Sequence, residues 1–325
     1  MTIEFSTRKT SHRLDLFSVR RAEALLRTSI HDLQAMSLIA GSQYLPFDDT
    51  PKPRWFPKIA KPKKKRRIDN PRKPLKKIQK RILAALKTVD LPSYIKGGVS
   101  GQTLLDNIKI HAGADVLVTI DVKSFFRSIG SRQVHKIWRY QLNCSRKLAS
   151  ILTKLTTFEG HLPQGAPTST YLANLLIASV EPGILSACES LNIKYSTWVD
   201  DLAFSGSNAP EIIGTVVKIL RSLGLSVSHK KLKVMRLGSR IALNDVVIGN
   251  ELNLTSEYRR TIRSGIYKLR TGAVRQGSLM QYIRSLKGRI DYLSSINQKA
   301  GDRFTRNLMS AIAEIGLEGF EWRSK

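Results

Sequence analysis

Tyr195-Ser-Thr-Trp-Val-Asp-Asp-Leu-Ala-Phe204 sets two adjacent carboxylates, Asp200 and Asp201, between two β-prone runs. Aromatic and β-branched residues on either side of a polar pair predict strand, tight turn, strand. Such a turn pushes the acids out of a hydrophobic sheet. Side by side, with no obvious cation among their neighbours, two carboxylates repel and are costly to desolvate. A divalent metal is the natural partner that keeps both ionised. The plainer alternative is an exposed Asp-Asp turn, and what surrounds it in the chain discriminates between the two.

A chain of 325 residues, 42% of them hydrophobic, can build two or three substructures around a sizeable core. Its 54 Lys and Arg against 25 Asp and Glu leave a net charge of +29, with a pI near 10.4. An excess that large implies a polyanionic partner, because neutralising phosphates releases counterions and supplies sequence-independent affinity. Nucleic acid fits better than a membrane: no run of about 18 apolar residues exists, and residues 171–185 are interrupted by Asn174, Glu181 and Pro182. The N-terminus has no signal-peptide apolar core, and Glu4, Asp15 and Glu23 argue against a transit peptide. Cys144 and Cys188 form neither a metal spacing nor a disulfide framework. The expectation is a reduced, cytoplasmic protein.

Outward from the acids, Val116-Leu-Val-Thr-Ile-Asp-Val122 alternates as a strand, with Leu117, Thr119 and Asp121 on one face. A long helix is expected from about Ser131 to Leu155. Leu162-Pro-Gln-Gly-Ala-Pro-Thr-Ser-Thr170 reads as a loop opening a helix near Thr168, in which Gly165 lets backbone approach a ligand closely. Upstream, residues 1–50 look mostly helical. Residues 48–72 turn sharply to Pro, Lys and Arg, with Trp55 and Phe56 interleaved, and read as extended. A basic amphipathic helix follows over Pro74–Leu86, and a basic hairpin leading into a basic helix suits phosphate contact. Downstream come an amphipathic helix over Ala209–Leu223, a strand at Leu225–Ser228, a strand pair over 241–254 and basic helix from Leu254 onward.

The order is therefore acid on a strand, loop and helix, then paired acids on a hairpin. Three carboxylates gathered from separate strands make a two-metal site for in-line phosphoryl transfer, in which charge stabilisation and positioning do the work. A metal-dependent nuclease would use the same carboxylates, and a non-catalytic nucleic-acid-binding scaffold is the remote alternative.

Over residues 58–270 the chain resembles the retron-type reverse transcriptases of bacteria. Lys63-Lys-Lys-Arg-Arg-Ile68 with Pro74-Leu75-Lys76 is similar to the fingers motif of that family, and Ile120-Asp-Val-Lys-Ser-Phe-Phe126 to its first palm motif. Leu162-Pro-Gln-Gly-Ala-Pro167 matches the next almost letter for letter, and Trp198-Val-Asp-Asp201 fills the place of Tyr-x-Asp-Asp. The resemblance implies an α+β right-hand polymerase: an N-terminal helical extension (1–50), fingers and an antiparallel-sheet palm (51–250), and a short helical RNA-binding thumb (251–325). It implies two Mg²⁺ ions, with Mn²⁺ as a substitute, held by Asp121, Asp200, Asp201 and the Val122 carbonyl, and dNTP substrates. Phe126 would exclude a ribose 2′-hydroxyl, Gln164 and Gly165 would line the nucleotide, Arg66 or Arg67 would clamp its phosphates, and Lys231 would donate a proton to pyrophosphate.

Asn107-Ile-Lys-Ile-His111 resembles the retron Asn-Ala-x-x-His motif and Leu254-Thr-Ser-Glu-Tyr-Arg-Arg260 the thumb-side pattern. Asn107, His111, Tyr258, Arg259 and Arg260 are thus expected to bind RNA. Where retron enzymes carry Val-Thr-Gly, this chain has Leu243-Asn244-Asp245. The resemblance implies a structured noncoding RNA as template and primer. It would be copied into single-stranded DNA from an internal 2′-hydroxyl as branched msDNA, in antiphage defence with a separately encoded effector protein. The alternative is a bacterial defence or group-II-intron-related reverse transcriptase with different priming.

Overall fold

The computed structural model describes residues 14–49, 66–249, 251–274 and 278–317. The basic run Lys61–Lys65, with Trp55 and Phe56, lies outside them. The chain divides into two compact units, one comprising 14–49, 66–111 and 115–235, the other 112–114 and the residues from Arg236 onward. The N-terminal helices belong to the first.

That unit opens with α1 (Val19–Leu26) and α2 (Ile30–Ile39), started by Ser18 and Ser29, whose hydroxyls accept from the amides of Arg21 and Asp32. The helical expectation ends at Gln43, because β1 (Tyr44–Asp49) pairs antiparallel with β2 (Arg66–Pro71), from Tyr44 opposite Pro71 to Asp49 opposite Arg66. Asp48 and Asp49 face Arg67 and Arg66, opposite charges that favour this register. In α3 (Lys73–Leu86), Pro74 occupies the first turn. Leu75, Ile78, Ile82 and Leu86 form the buried stripe, and Lys77 and Lys80 the exposed side. Each such aliphatic side chain stabilises by roughly 1.5–3 kcal/mol. Gln79 on the same stripe donates to Tyr44 Oη (2.8 Å) and to the Leu155 carbonyl (2.9 Å), so its burial is satisfied on that side.

Next come α4 (Leu104–Lys109), begun by a Thr103–Asp106 capping box, β3 (Val116–Asp121) and α5 (Phe125–Ser128). The single helix expected over 131–155 is instead α6 (Ser131–Lys136), a wide π turn at Ile137–Gln141, and α7 (Arg146–Thr156). Asn143 sits in the left-handed region at φ +56°, and the Ser145 hydroxyl caps a new helix at Leu148 N. A left-handed Asn and a serine cap outweigh an apolar period that runs straight through them. Helix α8 (Ser169–Ala178) starts where expected and is buried along nearly its whole length. Then follow α9 (Glu181–Leu191), β4 (Lys194–Trp198), β5 (Asp201–Ser205), α10 (Ile212–Ser222) and β6 (Lys233–Arg236). The sheet order is β4-β5-β3-β6. Leu225–Ser228, expected as a strand, contributes only a bridge from Val227 to Val122.

The second unit holds three short strands, β7 (Ala242–Leu243), β8 (Val246–Val247) and β9 (Asn253–Leu254), in place of the expected pair. Asn244 and Asp245 have φ of +52° and +70° and join Leu243 to its partner Val246. Positive φ at both central residues is the type I′ hairpin turn, which Asn and Asp tolerate, so the departure at Leu243-Asn244-Asp245 is turn chemistry. Helices α11 (Ser256–Arg270), α12 (Leu279–Ile296) and α13 (Gln298–Glu314) complete the unit, burying Ile262, Ile266, Ile283, Leu286, Phe304 and Leu308. The architecture is α+β. Among the described residues no single helix is long and apolar enough to cross a membrane.

Candidate active site

Register brings the acids together. Asp121, the last residue of β3, is the cross-strand partner of Asp201, the first of β5, and the Val122 amide donates to the Asp200 carbonyl at 3.0 Å. Asp200 lies in the two-residue turn Val199–Asp200 that joins β4 to β5. Val199 has φ +60°, while Asp200 is not among the positive-φ residues. That is the type II′ pattern, whose first central position normally takes Gly. A β-branched residue there costs about 1–3 kcal/mol and persists only when its surroundings hold it. They do so from the outer edge of β4. Thr197 exchanges backbone bonds with Tyr94 and Lys96 (2.9 and 3.0 Å), Gly97 lies against Val199, and Asn174 Nδ2 donates to the Gly97 carbonyl at 2.8 Å.

On the other side of Asp121, Ser228 N donates to its carbonyl (2.8 Å) and Lys123 N to the Ser226 carbonyl (2.8 Å). The turn that follows delivers Lys231, whose Nζ meets Asp121 Oδ2 at 2.6 Å. That contact raises the Lys231 pKa. Burial, then the neighbouring Asp200 and Asp121, push Asp201 up to about 6. Asp200 is raised as well, chiefly by burial and further by Asp121, with Lys231 and Arg66 opposing. Among the described residues no three acidic, His or Cys side chains already stand as a finished ligand set, and the Lys231 ammonium occupies an Asp121 oxygen. The chemistry nonetheless fits a divalent cation: two carboxylates held above their ordinary pKa by burial and by neighbouring acids are what an added positive charge relieves.

The two candidate arginines part company. Arg66 lies near enough to Asp200 to lower its pKa. Arg67 turns away, with Nε on Asp69 Oδ1 (2.9 Å), Nη2 on Glu159 Oε1 (2.7 Å) and its guanidinium over the Phe158 ring. The Gln164 carbonyl accepts from Asp69 N at 2.8 Å, which ties the loop to β2. Gly165 has φ +123°, and a Cβ there would stand 2.8 Å from Ile68 Cγ2. Its glycine is therefore needed for strand packing whatever else approaches. Phe126 is half-buried beside Phe125, ring centroids 5.6 Å apart.

The expected RNA contacts divide. Asn107 and His111 are 1% and 0% exposed, so neither touches RNA from this position, a correction to the motif-based expectation. His111 Nδ1 lies 2.7 Å from Ser205 Oγ and Nε2 2.8 Å from Ser196 Oγ. In the second unit Arg260 is exposed and Tyr258 is half-buried against Tyr292 and Arg289. Arg259, Arg263 and Arg303 line a recess of about 350 Å³ with Phe304 and Asn307, and the buried Arg259 Nε has no hydrogen-bond partner. Aromatic support beside the hairpin comes from Tyr195, stacked on Phe204 (4.8 Å) and tilted against Tyr94 (4.7 Å). Strand alternation already set Tyr195 apart from Trp198; the partner Tyr94 carried no sequence signal.

Residues 51–279 match the family model described as reverse transcriptase (RNA-dependent DNA polymerase). The Retron Se72 reverse transcriptase of Salmonella heidelberg (strain 579083-10) is 28% identical over 64% of this chain and 58% of its own length. The Retron Ec86 reverse transcriptase of Escherichia coli is 27% identical over 74% and 75%, and the Retron Mx162 reverse transcriptase of Myxococcus xanthus 25% identical over 75% and 58%. The chain thus spans 58% of the length of two of these three relatives. Among solved structures, a telomerase from Candida albicans in complex with a fragment of telomeric RNA covers 87% of this chain and 61% of that one, at 10% identity and a TM-score of 0.45. That likeness is too distant to carry function.

Proposed function

Because the chain belongs to the reverse transcriptase family and is of the retron type, we propose that it copies a dedicated structured noncoding RNA into single-stranded DNA. Synthesis starts from an internal RNA 2′-hydroxyl and leaves a branched RNA–DNA product. The observation that carries this reading is the in-register pairing of Asp121 with Asp201, with Asp200 at the adjoining turn.

Divalent metal dependence is general to the family; two Mg²⁺ ions held by Asp121, Asp200, Asp201 and the Val122 carbonyl would supply charge stabilisation at the attacking and leaving oxygens. The chain's own residues do the positioning. Arg66, at the start of β2, binds the triphosphate of a dNTP beside the acids, and Phe126, Gln164 and Gly165 border the sugar and base. Lys231 shares the proton-rich end of its ion pair with Asp121 and gives a proton to departing pyrophosphate. Fingers and palm fall within 51–250 and the thumb within 251–325, behind the 1–50 extension. In the thumb Tyr258, Arg259 and Arg260 contact RNA, and the arginine recess supports an anionic ligand there, since three guanidiniums converge with no carboxylate among its lining residues. The buried, unpaired thiols of Cys144 and Cys188 suit the cytoplasm. The role of the product in antiphage defence, through a separately encoded effector protein, follows from the resemblance alone.

Purification from cells carrying the native flanking DNA, followed by sequencing of the bound nucleic acid, tests the reading. One discrete DNA joined to one RNA is the expected result; heterogeneous DNA would keep the polymerase and move the priming to the non-retron alternative.

The separation of the two arginines makes a second expectation. Arg66→Ala raises the KM for dNTP by about 10-fold or more with melting unchanged, since it loses a charge-assisted phosphate contact. Arg67→Ala lowers the melting temperature, because Asp69 is left buried without its partner, and shifts KM less. Steady-state kinetics and thermal melts on the two variants separate these roles, and a reversed pattern would reassign the clamp to Arg67.

A further inference from the structure

We propose that His111 is a positioning residue that locks the β4–β5 hairpin in register, by bridging Ser196 and Ser205 on the sheet face that carries Asp121 and Asp201. The catalytic consequence rests on the polymerase reading above; the clamp itself does not.

The face follows from the register. Ser196 pairs with Ala203, Lys194 with Ser205 and Trp198 with Asp201, so Ser196, Ser205 and Asp201 project to one side, and Asp121, opposite Asp201, joins them. The imidazole therefore spans a diagonal between strands at the base of the hairpin whose tip holds the acids. Its two contacts, 2.7 and 2.8 Å, come from a ring fully enclosed between hydroxyls that are 2% and 0% exposed. Burial, with a contribution from Lys194, lowers its pKa to about 4, so the ring is neutral and has one N–H and one lone pair. One serine accepts and the other donates. A slip of one residue would turn one hydroxyl to the opposite face and break the bridge.

The hairpin needs such a device because its turn does not supply one. A Gly or Asn-Gly turn would set the register locally, whereas Val199 at φ +60° opposes its own turn. The anchor has fixings of its own: α4 begins in the Thr103–Asp106 capping box, Asn107 and Ile108 are buried, and His111 N bonds back to the Ile108 carbonyl at 3.0 Å. The hydrogen bonds to Ser196 and Ser205 thus tie two adjacent strands to a third element at one point.

The test separates positioning from packing. In the triple variant His111→Leu, Ser196→Ala, Ser205→Ala every polar partner is removed together, which leaves stability close to wild type. Amide hydrogen exchange across residues 197–203 is expected to accelerate by about 10-fold. With a generic RNA template and DNA primer, kcat falls by about 10-fold or more at unchanged KM for dNTP, the signature of a displaced catalytic group. His111→Gln alone, with both serines kept, supplies one donor and one acceptor and holds exchange and kcat near wild type. Ser205→Ala, a milder cut of half the bridge, moves exchange in the same direction. Wild-type exchange in Ser205→Ala overturns the proposal even if the triple variant does not fold. Weakened RNA binding with unchanged hairpin exchange also overturns it and returns His111 to RNA recognition. If the wild-type protein makes no DNA, the polymerase reading fails, while exchange still decides the clamp.

Discussion

Replacing Asp200 and Asp201 together by alanine is expected to lower DNA synthesis by about 10³-fold or more, because two of the three carboxylates that would hold the metal charge at the reacting phosphate are gone. RNA affinity should stay near wild type, since the 54 Lys and Arg that drive it are all retained. Undiminished dNTP incorporation would sink the site assignment. The same variant should melt higher than wild type in chelator at pH 7.5, and the sign follows from the pKa direction. Asp201 titrates near 6 in the folded chain against an ordinary value of 3.8. The folded state therefore holds its proton more tightly than the unfolded state, and stability falls as pH rises from about 4 to about 6. Above that window wild type carries a penalty that the alanines lack, reduced by the side chain's partial exposure, and at pH 4 the difference shrinks. Mg²⁺ should raise the melting temperature of wild type and leave that of the double variant unmoved. Melts at two pH values, with and without the ion, read all of this from the protein alone.

The parts of this site that local chemistry dictates were legible in the chain. β-branched alternation through Val116–Asp121 and an acid pair between two aromatic runs were enough to foresee β3, the hairpin and the meeting of the three acids. Each is a short-range signal. The apolar period around Leu142 gave no hint that Asn143 would turn left-handed and split the helix, because a weak local preference decides a break that periodicity cannot see. His111 misled for the opposite reason. A polar motif that resembles a family pattern in a basic chain reads as a ligand contact, and only the packing of α4 against β4 turns His111 inward onto two serines. Arg66 and Arg67 are adjacent in sequence and equivalent by composition. Their roles part because strand alternation sends one toward Asp200 and the other to Asp69 and Glu159. Long-range partners, Tyr94 for Tyr195 and Gly97 for Val199, had no signature at all.

Gly97 supplies the second large effect. A Cβ at this position would stand 2.5 Å from Val199 N, 2.8 Å from Val199 Cγ2 and 2.9 Å from the Trp198 carbonyl carbon. Two of these three atoms are backbone, so no side-chain rotation relieves the overlap, and either the 94–98 segment or the hairpin tip must move. The Asn174 bond to the Gly97 carbonyl and the Tyr94 and Lys96 bonds to Thr197 resist movement of that segment. The strained Val199–Asp200 turn has less to hold it, and it gives way. Displacing the paired acids by about 1 Å costs on the order of 10²-fold in turnover when the reaction depends on their placement. Gly97→Ala should therefore fold, keep its RNA affinity and lose about 10²-fold in kcat, with a smaller change in KM. Gly214→Ala is the matched control: its site within α10 has nothing inside 4 Å, and alanine in a helix stabilises by up to ~1 kcal/mol. Turnover of Gly97→Ala at the level of that control would mean that the hairpin tip is not held from the edge of β4, and the geometry that joins Asp200 and Asp201 to Asp121 would then depend on the β3–β5 ladder and the His111 bridge.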